Sequence, residues 1–520
     1  SWSLGRLAGP PRGGRLLALH RHKMWWMKPA HVASGRRVPA ETQLLLAELP
    51  PRPGEQQPTK YCVLVPLIDG NAKCNLRGLP NDVLQPFSSP RSAHPPPLPD
   101  VVSPLLPPSL TPPPLLPRSL SSSSPSSSSP RRRRRRGTPS CARRRATPWP
   151  PDPAGRCRAV ARPPAFLDGF GWCTWDSFYT QVCPAGVRRG LQSLRAAGFA
   201  PRWLVLDDGW QSTSNPHAKN EEQWMDKLTD LRANAKFRDP ETGTDLGDLV
   251  REVKRDFGVK EFLVWHALAG YWAGVERTPA LEKYAIVDTL PHSPEKLMQV
   301  DRDLWKLTLY LNLMNKKQGM VHPDHAGAFY EDYHRYLAEQ GVDGIKVDAQ
   351  SIVNVMGNGL GGSVKVAAAY HKALQRSSMK HFSGRRKEGV EGGGGGGEQQ
   401  QPRAPNLIHC MCHDSEILLL LAGLYEHRPL VRGSDDHYPR DPASHGPHLY
   451  FNAFNALLVS FVGLQDWDMF QTALGPGSWL HGAARAVSGG PVYVSDRPGE
   501  HDAALLRRLV LPGGGVLRRP

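Results

Sequence analysis

From Phe166 onward the chain falls into a regular alternation of short apolar runs and longer stretches of helical spacing. The apolar runs are "GFGWCTW" (169–175), "RWLVLDDGW" (202–210), "EFLVWHAL" (261–268), "GIKVDAQ" (344–350), "NLIHCMC" (406–412), "LVRGSDD" (430–436), "VGLQDWD" (462–468) and "PVYVSD" (491–496). Their apolarity is continuous rather than alternating, which suits strands buried on both faces. Between them Val187, Leu191 and Leu194 recur at i, i+4, i+7. Leu249, Val253 and Phe257 do the same, as do Phe329, Tyr333 and Leu337, and Val366, Tyr370 and Leu374. Eight strands separated by helices predict an α/β chain, a (β/α)8 barrel over residues 166–520. The gap between the third and fourth runs, about 75 residues, is long for one helix and predicts an added loop or helices over the barrel mouth.

Upstream the rhythm differs. Residues 60–69, "KYCVLVPLID", read as a strand, and "AETQLLLAEL" before them is a pairing partner. Residues 1–84 are therefore expected to hold a partial β domain. Residues 85–165 are dominated by Pro, Ser and Arg and cannot bury enough apolar surface to offset chain entropy, so disorder is expected there. A Gly-rich insert at 383–404 reads as a flexible link within the barrel domain. The chain opens on Ser rather than Met and so reads as a fragment or a processed product.

Charge adds one distinction. The formal net charge is +17, yet residues 1–165 alone carry 26 Lys and Arg against 7 Asp and Glu. The barrel region is near neutral and gives no reason to expect a polyanionic partner. The run Arg131–Arg136 has the composition of a nucleic-acid patch or a nuclear address, but a solvated low-complexity tract explains it as well, and no specific nucleic-acid partner is expected. No apolar run approaches the roughly 20 residues that span a bilayer, so no membrane partner is expected. Eight scattered cysteines without a C-x-x-C pair suit a reducing compartment. The expected location is the cytoplasm, with a plastid as alternative because residues 1–23 are basic and lack acids. Oligomeric state leaves no mark in the sequence.

The active face of such a barrel lies at the C-terminal ends of its strands, and the polar residues fall there. Asp207 and Asp208 end the second run, with Trp210 following; Lys346 and Asp348 end the fourth; Arg432, Asp435 and Asp436 end the sixth. Asp466 and Asp468 flank Trp467 at the seventh, and Asp496 ends the eighth. Each alone is weak, since paired acids usually cap or turn. The combination, together with Trp172, Trp175, Trp210 and Trp467, is more specific.

A ring of acids serves two chemistries. Metal binding would use His266, His409, His413 or His437, but no H-x-H or H-E-x-x-H spacing marks a ligand set, and neither metal nor other cofactor is expected. Sugar chemistry fits better: carboxylates and Arg hold hydroxyls, and Trp covers C–H faces. Cleaving a glycosidic bond needs one ionised carboxyl and one protonated one. Lys346 and Asp348 are i, i+2 on a strand and share a side. The lysine's charge should keep Asp348 ionised, as a nucleophile requires. Of the adjacent acids Asp435 and Asp436, one should be kept protonated by its neighbour's charge, as a proton donor requires. Arg432 then anchors a sugar hydroxyl or holds the other acid.

The stretches "FGWCTWDSFYTQV", "LVLDDGWQS", "VWHALAGYWAGV", "GIKVDAQS", "VRGSDDHYPRDPASH", "QDWDMFQT" and "AARAVSGGPVYVSDRPGEHDAALLRRLVLPGG" resemble the plant raffinose synthase and seed imbibition protein (alkaline α-galactosidase) family, and "MWWMKPAHVASGRRVPAETQLLLAE" resembles its N-terminal region. The resemblance covers about residues 23–80 and 166–518. It implies a glycoside hydrolase of retaining type on a (β/α)8 barrel. Asp348 is the implied nucleophile and Asp436 the implied acid/base, with Asp435 as fallback. Asp207, Asp208, Lys346 and Arg432 are implied to line the sugar site, Trp175 to cover the ring; Trp210, Asp435 and Asp468 join the expected sugar contacts.

The implied activity is galactosyl transfer from galactinol to sucrose through a covalent galactosyl-enzyme. Hydrolysis of raffinose-type oligosaccharides by an α-galactosidase is the alternative, and a barrel that has lost its activity is a third reading. The partners are small sugars in either active case. "HDSEILLLLAGLYEHRPLVRGSDDH" departs from the family's usual "HNTD…VVRASDDF", and His437 stands where the family has an aromatic. The tract at 85–165 replaces the expected continuation of the N-terminal β-sandwich, and the chain stops at Pro520, ahead of the family's C-terminal β domain.

Overall fold

The computed structural model describes residues 15–51, 58–66, 68–69, 72–79, 83–88, 163–215, 226–289, 318–357, 359–383, 403–425 and 427–517. Nearly all of the Pro/Ser/Arg tract, with Arg131–Arg136, and nearly all of the Gly-rich insert lie outside the described residues.

All eight apolar runs contain a strand. They are β1 (Gly171–Cys173), β2 (Trp203–Leu206), β3 (Glu261–Ala267), β4 (Gly344–Asp348), β5 (Asn406–His409), β6 (Leu430–Arg432), β7 (Leu464–Asp466) and β8 (Tyr493–Val494). They form one parallel sheet in the order β7-β6-β5-β4-β3-β2-β1-β8. A parallel bridge between Phe470, just past β7, and Val494 of β8 joins the two edges and closes the barrel. A helix follows each strand: Pro184–Ala196, Leu246–Phe257, Ala326–Glu339, Ser363–Phe382, Ser415–Leu424, Pro442–Val462, Pro476–Ser488 and Ala503–Leu509. The helical triplets read from the sequence lie in the first four.

Local chemistry sets the helix limits. Asp245 and Asp248 form a reciprocal capping box on Leu246–Phe257, and Gly258 ends that helix at φ 72°. The first helix seats against β1 because Gly190 lacks a side chain; a Cβ there would lie 2.1 Å from the Trp172 ring. The long gap after β3 contains an antiparallel pair, Ile286–Thr289 with Gln318–Val321. A second pair, Gln211–Thr213 with Leu228–Ala233, follows β2.

Period two along the strands divides the core. Trp203, Val205, Leu263, Ile408, Leu430 and Tyr493 pack together inside the barrel, whereas Leu204, Leu206, Phe262, Val264, Ile345, Leu407 and Val431 join the cluster shared with the helices. One step further along the inward-facing parity, at the C-terminal ends, the side chains turn polar: Asp207, Lys346, Asp348, Arg432 and Asp466.

The N-terminal region is a seven-stranded antiparallel sheet. Leu16–His22 pairs with Trp26–Val32 and with Thr42–Leu49; Thr42–Leu49 also pairs with Lys60–Leu64, the one pairing of the three that the sequence predicts. This sheet docks on the barrel. Met24, Trp25, Trp26 and Met27 join the main hydrophobic cluster. The carbonyl of Trp25 accepts from the His413 amide at 2.9 Å, and Asn455 Nδ2 donates to the Met27 carbonyl at 2.9 Å. Among the described residues no helix is long and apolar enough to cross a membrane.

Candidate active site

The floor of the site comes from β1, β2, β3 and β4. Lys346 Nζ donates to Asp207 Oδ2 at 2.7 Å, with both side chains at most 5% exposed. Cys173 Sγ donates to the same oxygen at 3.2 Å. Burial opposes the charge of Lys346, but Asp207, together with Cys173, Cys410 and Asp348, outweighs burial and raises its pKa, so the ammonium stays charged. Asp208 is turned to the β3 loop, where Tyr271 Oη (2.7 Å) and Trp272 Nε1 (2.9 Å) donate to its two oxygens. Burial pushes the Asp208 carboxyl up to about 7 against those donors. Asp348 accepts from Trp265 Nε1 and from its neighbour's amide at Ala349, both at 2.9 Å.

The opposite wall comes from β6 and β7. Arg432 is fully buried and reaches Asp436 Oδ1 and Asp468 Oδ2, each at 2.9 Å, while its guanidinium lies 5.6 Å from the Trp26 ring centre. Asp436 keeps one-third of its side chain open to solvent. Asp435 turns away to Lys23, which the N-terminal sheet delivers on the turn after Leu16–His22. Tyr438 Oη also donates to Asp435, at 3.3 Å. The two adjacent acids therefore each have a cation of their own.

This changes the expected protonation. The neighbour's charge does not hold a proton on the pair. Burial favours the neutral form of Asp436, but Arg432 and Lys346 outweigh it and depress its pKa. At Asp348 the balance is reversed: burial raises the pKa, Lys346 opposes it, and the charge of Asp436 raises it further. Burial and the charge of Asp436 thus favour the protonated form of Asp348, whereas Arg432 and Lys346 favour the ionised form of Asp436.

Besides Asp435, two further expected sugar contacts are turned to other partners. Trp210 is fully buried in the layer between strands and helices, with Nε1 donating to the Trp265 carbonyl at 2.8 Å. Asp468 is also fully buried; Arg432 and the amides of His437 and Met469 take both its oxygens. It positions Arg432 and the loop after Asp436. Asp496 is likewise consumed, accepting from the Thr472 amide and hydroxyl at 2.6 Å. Trp467 bonds Gln465 on the outer parity at 2.9 Å. Trp175 stays half-buried at the top of the barrel interior, edge-on to Tyr179 at 5.1 Å.

Other side chains in the wall had only weak sequence signals. Lys23 and Trp26 come from a separate sheet. Tyr271, Trp272 and Trp265 lie in "VWHALAGYWAGV", where an aromatic cluster just past a strand end is the signal available. His413 satisfies the backbone, accepting from the Met27 amide and donating to the Arg432 carbonyl. Beside the acid loop a cavity of about 360 Å³ is lined by Tyr179, Tyr438, Pro439, Arg440 and Asp441.

Comparison with known proteins decides the lineage. Residues 2–85 and 155–520 match the family model described as raffinose synthase or seed imbibition protein Sip1. The chain belongs to that family. Among curated members of the raffinose synthase family, it is 32% identical over 527 residues to the probable galactinol–sucrose galactosyltransferase 6 of Arabidopsis thaliana, covering 98% of this chain and 62% of that protein. It is 36% identical over 378 residues to the galactinol–sucrose galactosyltransferase of Oryza sativa subsp. japonica, covering 68% of this chain and 44% of that protein. The chain thus spans less than two-thirds of these relatives' length. Its fold is similar to the α-galactosidase from Thermus thermophilus, with TM-score 0.50 and 13% identity over 95% of this chain and 84% of that one. That likeness establishes the raffinose synthase family barrel as a fold shared with α-galactosidases.

Proposed function

We propose that this chain transfers an α-galactosyl group from galactinol to sucrose by double displacement with retention. The observation that carries the reading is the pairing of Asp348, on the floor beside Lys346, with Asp436, on the wall beside Arg432; the charge of Asp436 reaches Asp348, and Lys346 acts on both. In the proposed mechanism Asp348 attacks the anomeric carbon and Asp436 protonates the departing oxygen. Asp436, now a carboxylate, takes the acceptor's proton in the second step. The ionised Lys346 and the Asp207 and Asp208 carboxyls form a polar floor suited to galactose hydroxyls, and Trp175 offers an apolar edge.

The names of the curated relatives support galactinol as donor and sucrose as acceptor. The cavity lined by Tyr179, Tyr438 and Arg440 supports an acceptor larger than water, since it sets two aromatic faces and a guanidinium next to the acid loop. Hydrolysis is the same first step with water as acceptor.

The test is to incubate the chain with galactinol, with and without sucrose, and to follow the products by NMR. Formation of raffinose with sucrose present supports transfer. Free galactose released first as the α-anomer, with no raffinose, would assign the chain to hydrolysis. First release of the β-anomer, or no consumption of galactinol under either condition, would sink the reading.

A further inference from the structure

One cluster of side chains lies outside the chemistry above. His437 follows Asp436 directly, His445 lies in the first turn of Pro442–Val462, and His481 lies in Pro476–Ser488. Their rings form a nearly equilateral triangle, with centroids 4.8 Å apart for His437–His445, 4.4 Å for His437–His481 and 4.9 Å for His445–His481. One ring nitrogen from each lies within 4.8 Å of the other two.

His437 is 2% exposed, and neither of its ring nitrogens has a partner. The Nε2 of His481, a fully buried residue, also has none. A buried polar group left unpaired loses its hydration without replacement, so an imidazole with both nitrogens unmet is an unusual tenant for this position. A phenyl ring in its place would carry no such cost. Burial and the nearby Arg485 hold His437 and His481 far below the usual histidine pKa, so both rings are neutral. Neutral imidazole is the form that binds metal.

We propose that His437, His445 and His481 form a binding site for a borderline divalent cation of the zinc type. Three imidazoles that leave a fourth position for water are an established zinc donor set. With Zn–N of about 2.0–2.1 Å, tetrahedral ligand nitrogens lie about 3.3 Å apart, so the triangle must tighten. His445 is the ring able to move, being partly exposed beside Gly477, where a Cβ would come within 3.2 Å of its Nδ1. Its exposure also gives the ion a way in. Arg485 opposes the site: it donates to Nδ1 of His481 at 2.8 Å, so the ring proton sits on Nε2; that bond must break and the proton move to Nδ1 to free the Nε2 lone pair for the ion. Asp468 and Asp466 offset that guanidinium's charge. The site holds the Asp435–His437 segment to two helices and does not depend on the sugar chemistry proposed above.

The full chain, freed of metal, is titrated with Zn²⁺ by calorimetry and with Co²⁺ by visible absorption. The expected result is one ion per chain, a tetrahedral Co²⁺ spectrum without thiolate charge-transfer bands, and a rise in Tm with Zn²⁺. His437→Phe keeps an aromatic ring but removes both nitrogens and should weaken binding by about 100-fold or more. Should that variant misfold, His445→Asn, on the partly exposed ring, gives the same readout. No uptake by the unaltered chain, or uptake that survives both substitutions or shows thiolate bands, overturns the site.

Discussion

Lys23 and Asp435, 412 residues apart in sequence, form an ion pair that ties the N-terminal sheet to the loop carrying the proposed acid/base. The pair is partly buried, with side-chain exposures of 27% and 21%. It leaves Asp436 as the acid that faces Arg432 and the mouth.

Breaking that pair should loosen the loop without removing any group proposed to react. Lys23→Met should raise KM for the donor several-fold. In a double-mutant cycle with Asp435→Asn the coupling should be about 1 kcal/mol. Kinetics of the four proteins measure it; a coupling of zero would mean that the N-terminal sheet does not tune the loop.

Asp348→Asn removes the proposed nucleophile while keeping the shape that Trp265 and the Ala349 amide bind. Turnover of galactinol should fall by about 10⁴-fold or more, with Tm little changed. Activity above a tenth of the unaltered chain's would reassign the nucleophile.

The placement of protons predicts the activity–pH profile. Asp348 must be ionised and Asp436 protonated, yet burial raises the first and Arg432 depresses the second. The productive microstate is therefore the minor one, and kcat/KM for galactinol should be bell-shaped with both limbs belonging to the pair. Asp436→Asn, given an aryl galactoside whose leaving group needs no proton, should lose the alkaline limb and rise to a plateau. A bell that persists in this variant would place the acid elsewhere.

Asp208 makes a prediction about stability. Its folded pKa of about 7 lies above the usual 3.8, so between those values the folded chain binds more protons than the unfolded one. Its contribution to stability is full below about pH 4 and is lost as pH rises towards 7, by about 4 kcal/mol at most. Thermal unfolding of Asp208→Asn should therefore gain on the unaltered chain as pH is raised over that window. A constant difference in Tm from pH 4 to 7 would show that Asp208 is ionised throughout.

Trp210→Phe should lower stability by about 1–2 kcal/mol through the lost hydrogen bond to Trp265 and lost packing. KM for either sugar should stay within about two-fold, because Trp210 faces the helices. A large rise in KM with unchanged Tm would return Trp210 to the sugar site.

The barrel was legible because both its periods are strong. Parallel strands buried on both faces read as unbroken apolar runs, and Leu249–Val253–Phe257 or Val366–Tyr370–Leu374 repeat at helical spacing without competing patterns. Strand ends gave Asp207, Lys346, Asp348 and Arg432 because inward parity continues past the apolar layer. What one strand's pattern does not encode is which way a residue turns beyond its last hydrogen bond. Trp210 therefore reads like Trp175 although the two face different layers, and Asp468 reads like Asp436 although Arg432 and two amides consume it. Lys23 was illegible for another reason: its partner belongs to a different sheet, and only docking of Trp25–Met27 brings them together. The triangle of His437, His445 and His481 has no linear spacing motif, since its third member arrives on the next helix.

Because Lys23 holds Asp435 and Trp26 packs on Arg432, substitutions in a hairpin that contains no group proposed to react can still shift the wall that carries Asp436. A change within the first fifty positions of this chain is thus a way to re-aim Arg432 and Asp436 while every carboxylate of the barrel is kept.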